Sequence, residues 1–285
     1  MNRPVSSNPG RSNRPGKRKP PVVRDPAPGA TNTSGNTGST AATGAARPAP
    51  ATPTKATPSA PAAVVATGIC KRYGDAEALA PLDLRVEEGQ RVTLIGHNGS
   101  GKTTLLRMLT GMLEPSEGSA TISGHPLGSV ESRAAISYLS DQPVFYDDLS
   151  VWEHLEYIAR LHGVRQWEPT AEHLLETIGL IDRRDDIPTT FSRGLRQKAA
   201  ITLACVRPFQ VWLVDEPFVG LDESGKKALL GLFDEAAERG ATLVVATHEL
   251  TYVNRVERLL ALRDGALTYD GSPSETDVHA LVMPT

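Results

Sequence analysis

Between residues 92 and 104 the chain reads Val92-Thr93-Leu94-Ile95-Gly96-His97-Asn98-Gly99-Ser100-Gly101-Lys102-Thr103-Thr104. An apolar strand, a glycine-rich turn and a helical run follow one another here. The glycines let consecutive backbone N–H groups turn inward around a phosphate chain, at a helix N-terminus that favours anions. Lys102 is then predicted to reach the β- and γ-phosphates of a nucleotide, and the Thr103 hydroxyl to ligate Mg²⁺.

A second stretch carries the acidic residues that such a site needs. It reads Val211-Trp212-Leu213-Val214-Asp215-Glu216. A buried strand would deliver Asp215 to the carboxyl edge of the sheet, beside the phosphate loop, where it can hold Mg²⁺ through water. Glu216, one residue later, is placed to polarise a water for attack on the γ-phosphorus. The two stretches together indicate a P-loop nucleotide hydrolase.

The order of the remaining elements favours an α/β protein. Strands are predicted at about 64–69, 79–86, 92–95, 120–122, 136–140, 211–214 and 243–246, and helices at about 102–112, 170–178 and 192–206. A further helix should open at Ser150, because Ser150 and Glu153 form a capping-box pattern. Alternation of buried strands and helices predicts a mostly parallel twisted sheet, with a helical subdomain at about 145–205.

Charge divides the chain into a basic part and an acidic part. Residues 1–60 carry nine Lys or Arg and one acid, a net charge of +8, whereas the whole chain is −3 and the remainder is therefore −11. Residues 1–62 are rich in Pro, Ala, Thr and Gly, so we expect a disordered tail. Its cluster around Lys17-Arg18-Lys19 either keeps the protein soluble or contacts anionic lipid or nucleic acid.

The cysteine content and the lack of a long apolar run exclude several classes of protein. Cys70 and Cys205 are far apart and have no second Cys or His at metal-ligand spacing, so neither a disulfide framework nor a zinc site is expected. No secretory signal or membrane-spanning run is evident in the sequence. If the protein serves a membrane, we expect it to do so through a partner.

Five more motifs follow in an order that resembles one family. They are Tyr73 in Lys71-Arg72-Tyr73-Gly74, Gln142 after a strand, Ser192-Arg193-Gly194-Leu195-Arg196-Gln197, Gly220-Leu221-Asp222, and His248 in Ala246-Thr247-His248-Glu249. Over about residues 64–270 the chain resembles the nucleotide-binding subunits of ATP-binding cassette (ABC) transporters. The Ser-Arg-Gly signature resembles that of bacterial exporters of the drug or natural-product type.

The resemblance implies the ABC ATPase fold, with an antiparallel strand layer near 64–95, and a domain at 63–272 followed by a C-terminal tail at 273–285. It implies ATP and Mg²⁺ as cofactors, the catalytic residues Glu216, His248 and Gln142, and the metal ligands Thr103, Gln142 and Asp215. The nucleotide contacts that it implies are Tyr73, Gly96, His97, Asn98, Gly99, Ser100, Gly101, Lys102, Thr103, Thr104, Ser192, Gly194 and Asp222. Arg193 and Leu195 replace the Gly and Gln of the common signature, which leaves the contacts of position 195 open.

The resemblance also implies partners. These are a second ATPase subunit, identical or paired, that places Ser192 over its neighbour's ATP, and a multi-span membrane permease docked on the groove between Gln142 and Leu161. Phe145, Tyr146, Trp152 and Tyr157 suit such a groove, although half of them could belong to the core. The expected location is cytoplasmic, peripheral on the inner face of the cell membrane, with no specific nucleic acid bound.

The alternatives come from other classes of protein. A soluble ABC ATPase acting on ribosomes usually carries two cassettes, and this chain has one phosphate loop. A DNA-associated ATPase of the superfamily needs a long coiled coil, and no sustained heptads separate Lys102 from Asp215. A GTPase or a small-molecule kinase is disfavoured, because there is no Asn-Lys-x-Asp motif and no obvious lid.

Overall fold

The computed structural model describes residues 61–253 and 255–282, so the predicted N-terminal tail lies almost wholly outside the described residues. The strands are β1 (Ala62–Tyr73), β2 (Ala76–Glu87), β3 (Arg91–Ile95), β4 (Glu117–Ile122), β5 (His125–Pro126), β6 (Ile136–Leu139), β7 (Val211–Asp215), β8 (Thr242–Ala246), β9 (Arg258–Arg263) and β10 (Ala266–Gly271). The helices are α1 (Lys102–Leu109), α2 (Val130–Ala135), α3 (Val151–Leu161), α4 (Glu168–Ile178), α5 (Arg193–Cys205), α6 (Glu223–Glu238), α7 (Leu250–Val253) and α8 (Val278–Val282).

A mixed six-stranded sheet forms the centre, in the order β10-β9-β3-β8-β7-β6. The pairs from β9 to β6 are parallel, and only β10 runs antiparallel to its neighbour. The strands β7 and β8 are buried along their whole length, which matches their continuous apolar sequence. Alternate residues face opposite sides: Trp212 packs with the helical region, and Leu213 packs toward α1 and the second sheet.

The second sheet is antiparallel and has the order β2-β1-β4-β5. The helix α1 lies between the apolar face of this second sheet and the face of the central sheet that carries Leu213. Its residues Leu105, Leu106, Met108 and Leu109 are buried there. The predicted antiparallel layer at 64–95 was therefore wrong in extent. β3 belongs to the centre of the parallel sheet, where both of its edges are paired, and the antiparallel layer continues instead into β4 and β5.

The helical region between β6 and β7 confirms the prediction for 150–205 in its main features. The Ser150 hydroxyl accepts a hydrogen bond from the Glu153 N–H at 3.2 Å, and the Glu153 carboxylate accepts one from the Ser150 N–H at 2.7 Å. This capping box starts α3 where it was predicted. Leu155 and Ala159 on α3 then bury one face against α4 and α5.

Parallel strands bring their carboxyl ends to one edge of the sheet. The phosphate loop follows β3, Asp215 ends β7, and Thr247 and His248 follow β8, so three separate stretches of sequence reach the same edge. The β9–β10 hairpin and α8 were not predicted. Val278, Leu281 and Val282 of α8 pack against a small cluster that includes residues of β3 and β9.

Candidate functional site

The phosphate loop holds a conformation that only glycine adopts freely at several positions. Gly99 has φ +84° and Gly101 has φ +104°, both in the left-handed region. At Gly96 a Cβ atom would overlap the carbonyl oxygen of Leu262 and the Ser100 side chain. The loop is therefore tightly packed before α1 begins at Lys102, and the Ser100 N–H donates to the His97 carbonyl oxygen at 3.1 Å within it.

Lys102 is a buried cation at the base of this loop. Its side chain is only 6% exposed, and its Nζ donates hydrogen bonds to the carbonyl oxygens of Gly96 at 2.8 Å and His97 at 3.3 Å. Glu216 Oε1 lies 3.7 Å from the same Nζ. The positive charge is thus held between the loop and the end of β7, where phosphate oxygens could be bound.

Asp215 is fully buried at the end of β7 and supplies a site for a cation. Neither carboxylate oxygen has a hydrogen-bond partner by geometry among the residues that the structure describes. Desolvation raises the pKa of Asp215 to about 6, and the neighbouring Thr103 hydroxyl offsets part of this effect by lowering the pKa. An orphaned carboxylate beside a hydroxyl is an arrangement that fits a hard divalent cation such as Mg²⁺.

Glu216 adopts a left-handed conformation, with φ +47°, that is unusual for a residue other than glycine. Its N–H donates to the Ala246 carbonyl oxygen at 2.8 Å, which ties it to β8. Its Oε2 lies 2.8 Å from His248 Nδ1, the ring nitrogen that donates to the carboxylate. Such backbone outliers concentrate at functional sites. The structure therefore joins Lys102, Glu216 and His248 in one chain of contacts.

No hydrogen bond or ion pair among the described residues joins Gln142 or Tyr73 to this group. Gln142 is exposed on the rim of a cavity of about 700 Å³ that Phe145, Arg193 and Gln197 also line. The Gln142 side chain forms no hydrogen bond with the described residues, and only its N–H is engaged, by the Ser140 hydroxyl. Tyr73 is 56% exposed, with Lys71 Nζ 5.2 Å from its ring centroid. Its aromatic face is at the surface rather than in the core.

The signature segment begins α5 and contacts the loop that follows Glu216. The Ser192 hydroxyl accepts a hydrogen bond from the Leu195 N–H at 3.4 Å, so Ser192 caps the helix. A Cβ on Gly194 would lie 2.5 Å from the Gly220 carbonyl oxygen. Within the described parts of the chain, no hydrogen bond or ion pair joins residues 192–194 to the phosphate loop.

Asp222 links that loop to α5 and starts α6. Its Oδ1 accepts from the Gly225 N–H at 2.9 Å and lies 3.1 Å from Lys198 Nζ. The hydrogen bond from Gly225 and the bond from Lys198 lower the pKa of Asp222 to about 2. Sequence reasoning missed Lys198 and also Gln197, whose Nε2 donates to the Pro217 carbonyl oxygen at 3.2 Å. Lys198 carried no sequence signal of its own, because its contact with Asp222 joins segments that only the fold brings together.

Sequence comparisons identify known proteins that are similar to this chain. A family profile described as ABC transporter matches residues 79–219. The SkfA peptide export ATP-binding protein SkfE of Bacillus subtilis (strain 168) is 31% identical over 205 residues, which are 71% of this chain and 86% of that protein. The cytochrome c biogenesis ATP-binding export protein CcmA of Mannheimia succiniciproducens is 30% identical over 182 residues, 63% of this chain and 84% of that protein.

Solved structures agree with the sequence relatives. A structure of an ATP binding subunit of an ABC transporter superposes with a TM-score of 0.73 at 28% identity, covering 76% of this chain and 97% of that one. A dimeric ATP-binding cassette in a post-hydrolysis state, bound to ADP and Pi, has a TM-score of 0.67 at 26% identity, covering 73% of this chain and 98% of its own.

Proposed function

The chain belongs to the ATP-binding subunits of ABC transporters, which hydrolyse ATP to power transport, and from this we propose which of its residues bind ATP, which hydrolyse it and which face its partners. The observation that carries the proposal is the contact chain Lys102–Glu216–His248 at the carboxyl edge of the sheet. It places a cation, a carboxylate and an imidazole beside the glycine-rich loop that precedes α1.

ATP binding is assigned to Tyr73 and to residues 96–104. The exposed ring of Tyr73 offers a face on which adenine can stack. The N–H groups of the loop surround the β-phosphate, and Lys102 contacts the β- and γ-phosphates. Thr103, Asp215 and Gln142 would hold Mg²⁺, which would neutralise charge on the phosphates. The unpartnered Asp215 carboxylate supports this assignment.

Hydrolysis is assigned to Glu216, His248 and Gln142. Glu216 orients the attacking water and accepts its proton at a carboxylate oxygen. His248 holds Glu216 at 2.8 Å in the structure and, once ATP is present, donates to the γ-phosphate. Gln142 is assigned to the γ-phosphate side of the site, and its side chain has no hydrogen bond to the described residues that would compete with this contact.

The signature segment is assigned to the nucleotide of a second subunit. Ser192 and Gly194 present the N-terminus of α5, which favours anions. Their lack of bonds to the phosphate loop of their own chain, among the described residues, supports a role in trans. The dimeric cassette related to this chain supports a pair of subunits, and we infer that the pair is head-to-tail with two shared sites. Asp222, held by Lys198, fixes the loop at that interface.

A membrane permease is assigned to the surface between Gln142 and Leu161. Val144 is 92% exposed and Leu161 67% exposed, and Tyr146 and Tyr157 pack edge to face there with their centroids 5.5 Å apart. The described helices include none long and apolar enough to cross a bilayer. We place the protein on the inner face of the cell membrane, and the peptide-export relative favours export as the direction.

Two of the four predicted aromatic residues of this surface take a different role. Phe145 and Trp152 pack against the core of the helical region, and Trp152 lies 4.8 Å from Trp167, centroid to centroid.

The proposed ABC domain spans residues 63–272. Residues beyond 272 contribute a 3₁₀ turn and α8, which cover part of β9.

The test is a substitution that removes the base and keeps the site intact. Glu216→Gln preserves size and hydrogen bonding, so ATP should bind while turnover falls by about 100-fold or more, the range of a lost general base. The closed dimer should then accumulate with ATP in gel filtration. Lys102→Ala is the matched control that should lose ATP binding itself. Wild-type turnover in the Glu216→Gln variant would exclude Glu216 as the base.

A further inference from the structure

The turn between β9 and β10 lies directly against the phosphate loop. The Gly265 N–H donates to the Ser100 carbonyl oxygen at 3.1 Å, and the Gly265 carbonyl oxygen accepts from the Ala80 N–H at 2.8 Å. A Cβ on Gly101 would lie 3.5 Å from Gly265 Cα. The hairpin turn therefore ties the phosphate loop to β2, although none of the motifs considered above includes the turn.

A side-chain contact joins the same two segments. His97 Nε2 lies 3.2 Å from Asp264 Oδ1, with the His97 side chain 23% exposed and the Asp264 side chain 76% exposed. His97 Nδ1 lies 2.8 Å from the Asn98 carbonyl oxygen. Asp264 has φ +48°, a conformation that Asp and Asn tolerate better than most residues and that aims its side chain from the tip of the turn.

Proton counting at His97 shows which form suits this geometry. A carbonyl oxygen can only accept, so Nδ1 carries the proton toward Asn98. In the neutral ring Nε2 would then present a lone pair to a carboxylate oxygen, which is repulsive. A second proton on Nε2 replaces that repulsion by a charge-assisted contact with Asp264. The arrangement is thus best satisfied by the imidazolium.

The other charged groups around His97 do not replace Asp264. Lys102 Nζ approaches the backbone oxygen of His97 and is itself close to Glu216, which holds His248. The guanidinium of Arg263, beside Asp264 in sequence, donates to the Ala280 carbonyl oxygen. Among the contacts of the described residues, the carboxylate that faces the imidazole is that of Asp264.

We propose that Asp264 is a positioning residue for nucleotide binding, which acts through His97 to hold the phosphate loop in its anion-binding shape and does so more firmly when the imidazole is protonated. The proposal rests on the assignment of residues 96–104 to the phosphates. A loop that is ordered before ATP arrives loses less entropy on binding. Because the contact with Asp264 needs the second proton on the ring, the effect should be larger at lower pH.

The experiment measures ATP affinity of the full-length chain by titration calorimetry at several pH values, for the wild type and for Asp264→Asn. Asn keeps the shape and tolerates the left-handed turn. The ratio of the two dissociation constants at each pH cancels pH effects that both proteins share, such as the titration of ATP. Asp270→Asn is the matched control, because it removes a carboxylate from the same hairpin where it pairs with Arg258 instead. A second pair compares the same change in a His97→Gln background.

The dissociation constant of Asp264→Asn relative to wild type should be about threefold larger at about pH 6 than at about pH 8.5, the size of one partly exposed ion pair that needs both protons on the imidazole. The change should vanish in the His97→Gln background and be absent for Asp270→Asn. Hydrogen exchange of the Gly99 and Ser100 amides should also be faster in Asp264→Asn at the lower pH. A ratio that does not change with pH, or an equal change without His97, would overturn the proposal. Loss of ATP binding by the wild type would instead count against the phosphate loop itself.

Discussion

Replacing Gly194 by alanine should destabilise the domain, although the same change usually stabilises a helix. Gly194 is the second residue of α5, and its backbone has no left-handed requirement. Alanine inside a helix is normally favoured over glycine by about 0.5–1 kcal/mol. The structure reverses this expectation, because the new Cβ would lie 2.5 Å from the Gly220 carbonyl oxygen, whereas ordinary contact begins at 3.4 Å.

The size of the effect follows from that overlap. Either α5 or the loop at Gly220 must move by about 0.9 Å, and overpacking of this kind costs about 1–3 kcal/mol. At the middle of that range, about 2 kcal/mol, the gain of about 0.5–1 kcal/mol in helix propensity leaves a net loss of about 1–1.5 kcal/mol. For a domain of about 200 residues this corresponds to a melting temperature lower by about 2–6 °C. ATPase activity should fall as well, since the signature segment and the Asp222 loop move apart.

The matched control is Gly231→Ala in the middle of α6, where a Cβ would have no atom within 4 Å. This variant should gain about 0.5–1 kcal/mol and keep wild-type turnover. Thermal denaturation and steady-state ATPase assays of both variants check the reasoning. If Gly194→Ala is as stable and active as Gly231→Ala, the close contact with Gly220 does not constrain the signature segment.

Two further predictions concern the nucleotide and the cation. Tyr73→Ala should weaken ATP binding by about 1–3 kcal/mol, as for other base–aromatic stacks, whereas Tyr73→Trp should be tolerated; equal affinity of the Ala variant in a calorimetric titration would exclude stacking. Burial raises the pKa of Asp215 from 3.8 to about 6, so the folded state binds the extra proton and loses stability as the pH rises between these values. Without Mg²⁺ or nucleotide, Asp215→Asn should therefore be more stable than the wild type above about pH 6, by up to about 3 kcal/mol. This difference in unfolding free energy should shrink toward about pH 4. A difference that stays constant across pH would contradict the explanation by burial of the carboxylate.

Much of the site follows from sequence because its parts are local. The phosphate loop, the strand that ends in Asp215 and the strand before His248 each contain their own signal, and parallel pairing brings their ends together. The Ser150–Glu153 capping box and the Ser192 cap were likewise readable, because both bonds join residues three apart. The need for glycine at positions 99 and 101 could be predicted from the motif alone.

What could not be predicted depends on contacts between segments distant in sequence. The Asp264-Gly265 pair between two apolar runs was a hairpin signal that went unused, but its docking on Ser100 and His97 depends on the placement of β9 beside β3. In the same way, Lys198 has an ordinary helical position, and its bond to Asp222 appears only once α5 and α6 are placed. Packing also decides that Phe145 and Trp152 join the core, whereas Tyr146 and Tyr157 stay at the surface.

The central claim is that each ATP is hydrolysed by Glu216 of one subunit and Ser192 of its partner, and heterodimers test it most directly. A purified heterodimer of Glu216→Gln with Ser192→Arg contains one site with both residues intact, and it should regain measurable ATPase activity that neither homodimer shows. The matched control pairs a wild-type chain with a chain that carries both substitutions, so that each shared site has one lesion, and it should be nearly inactive. The opposite pattern, an active control and an inactive mixed pair, would show that each subunit hydrolyses ATP within its own chain.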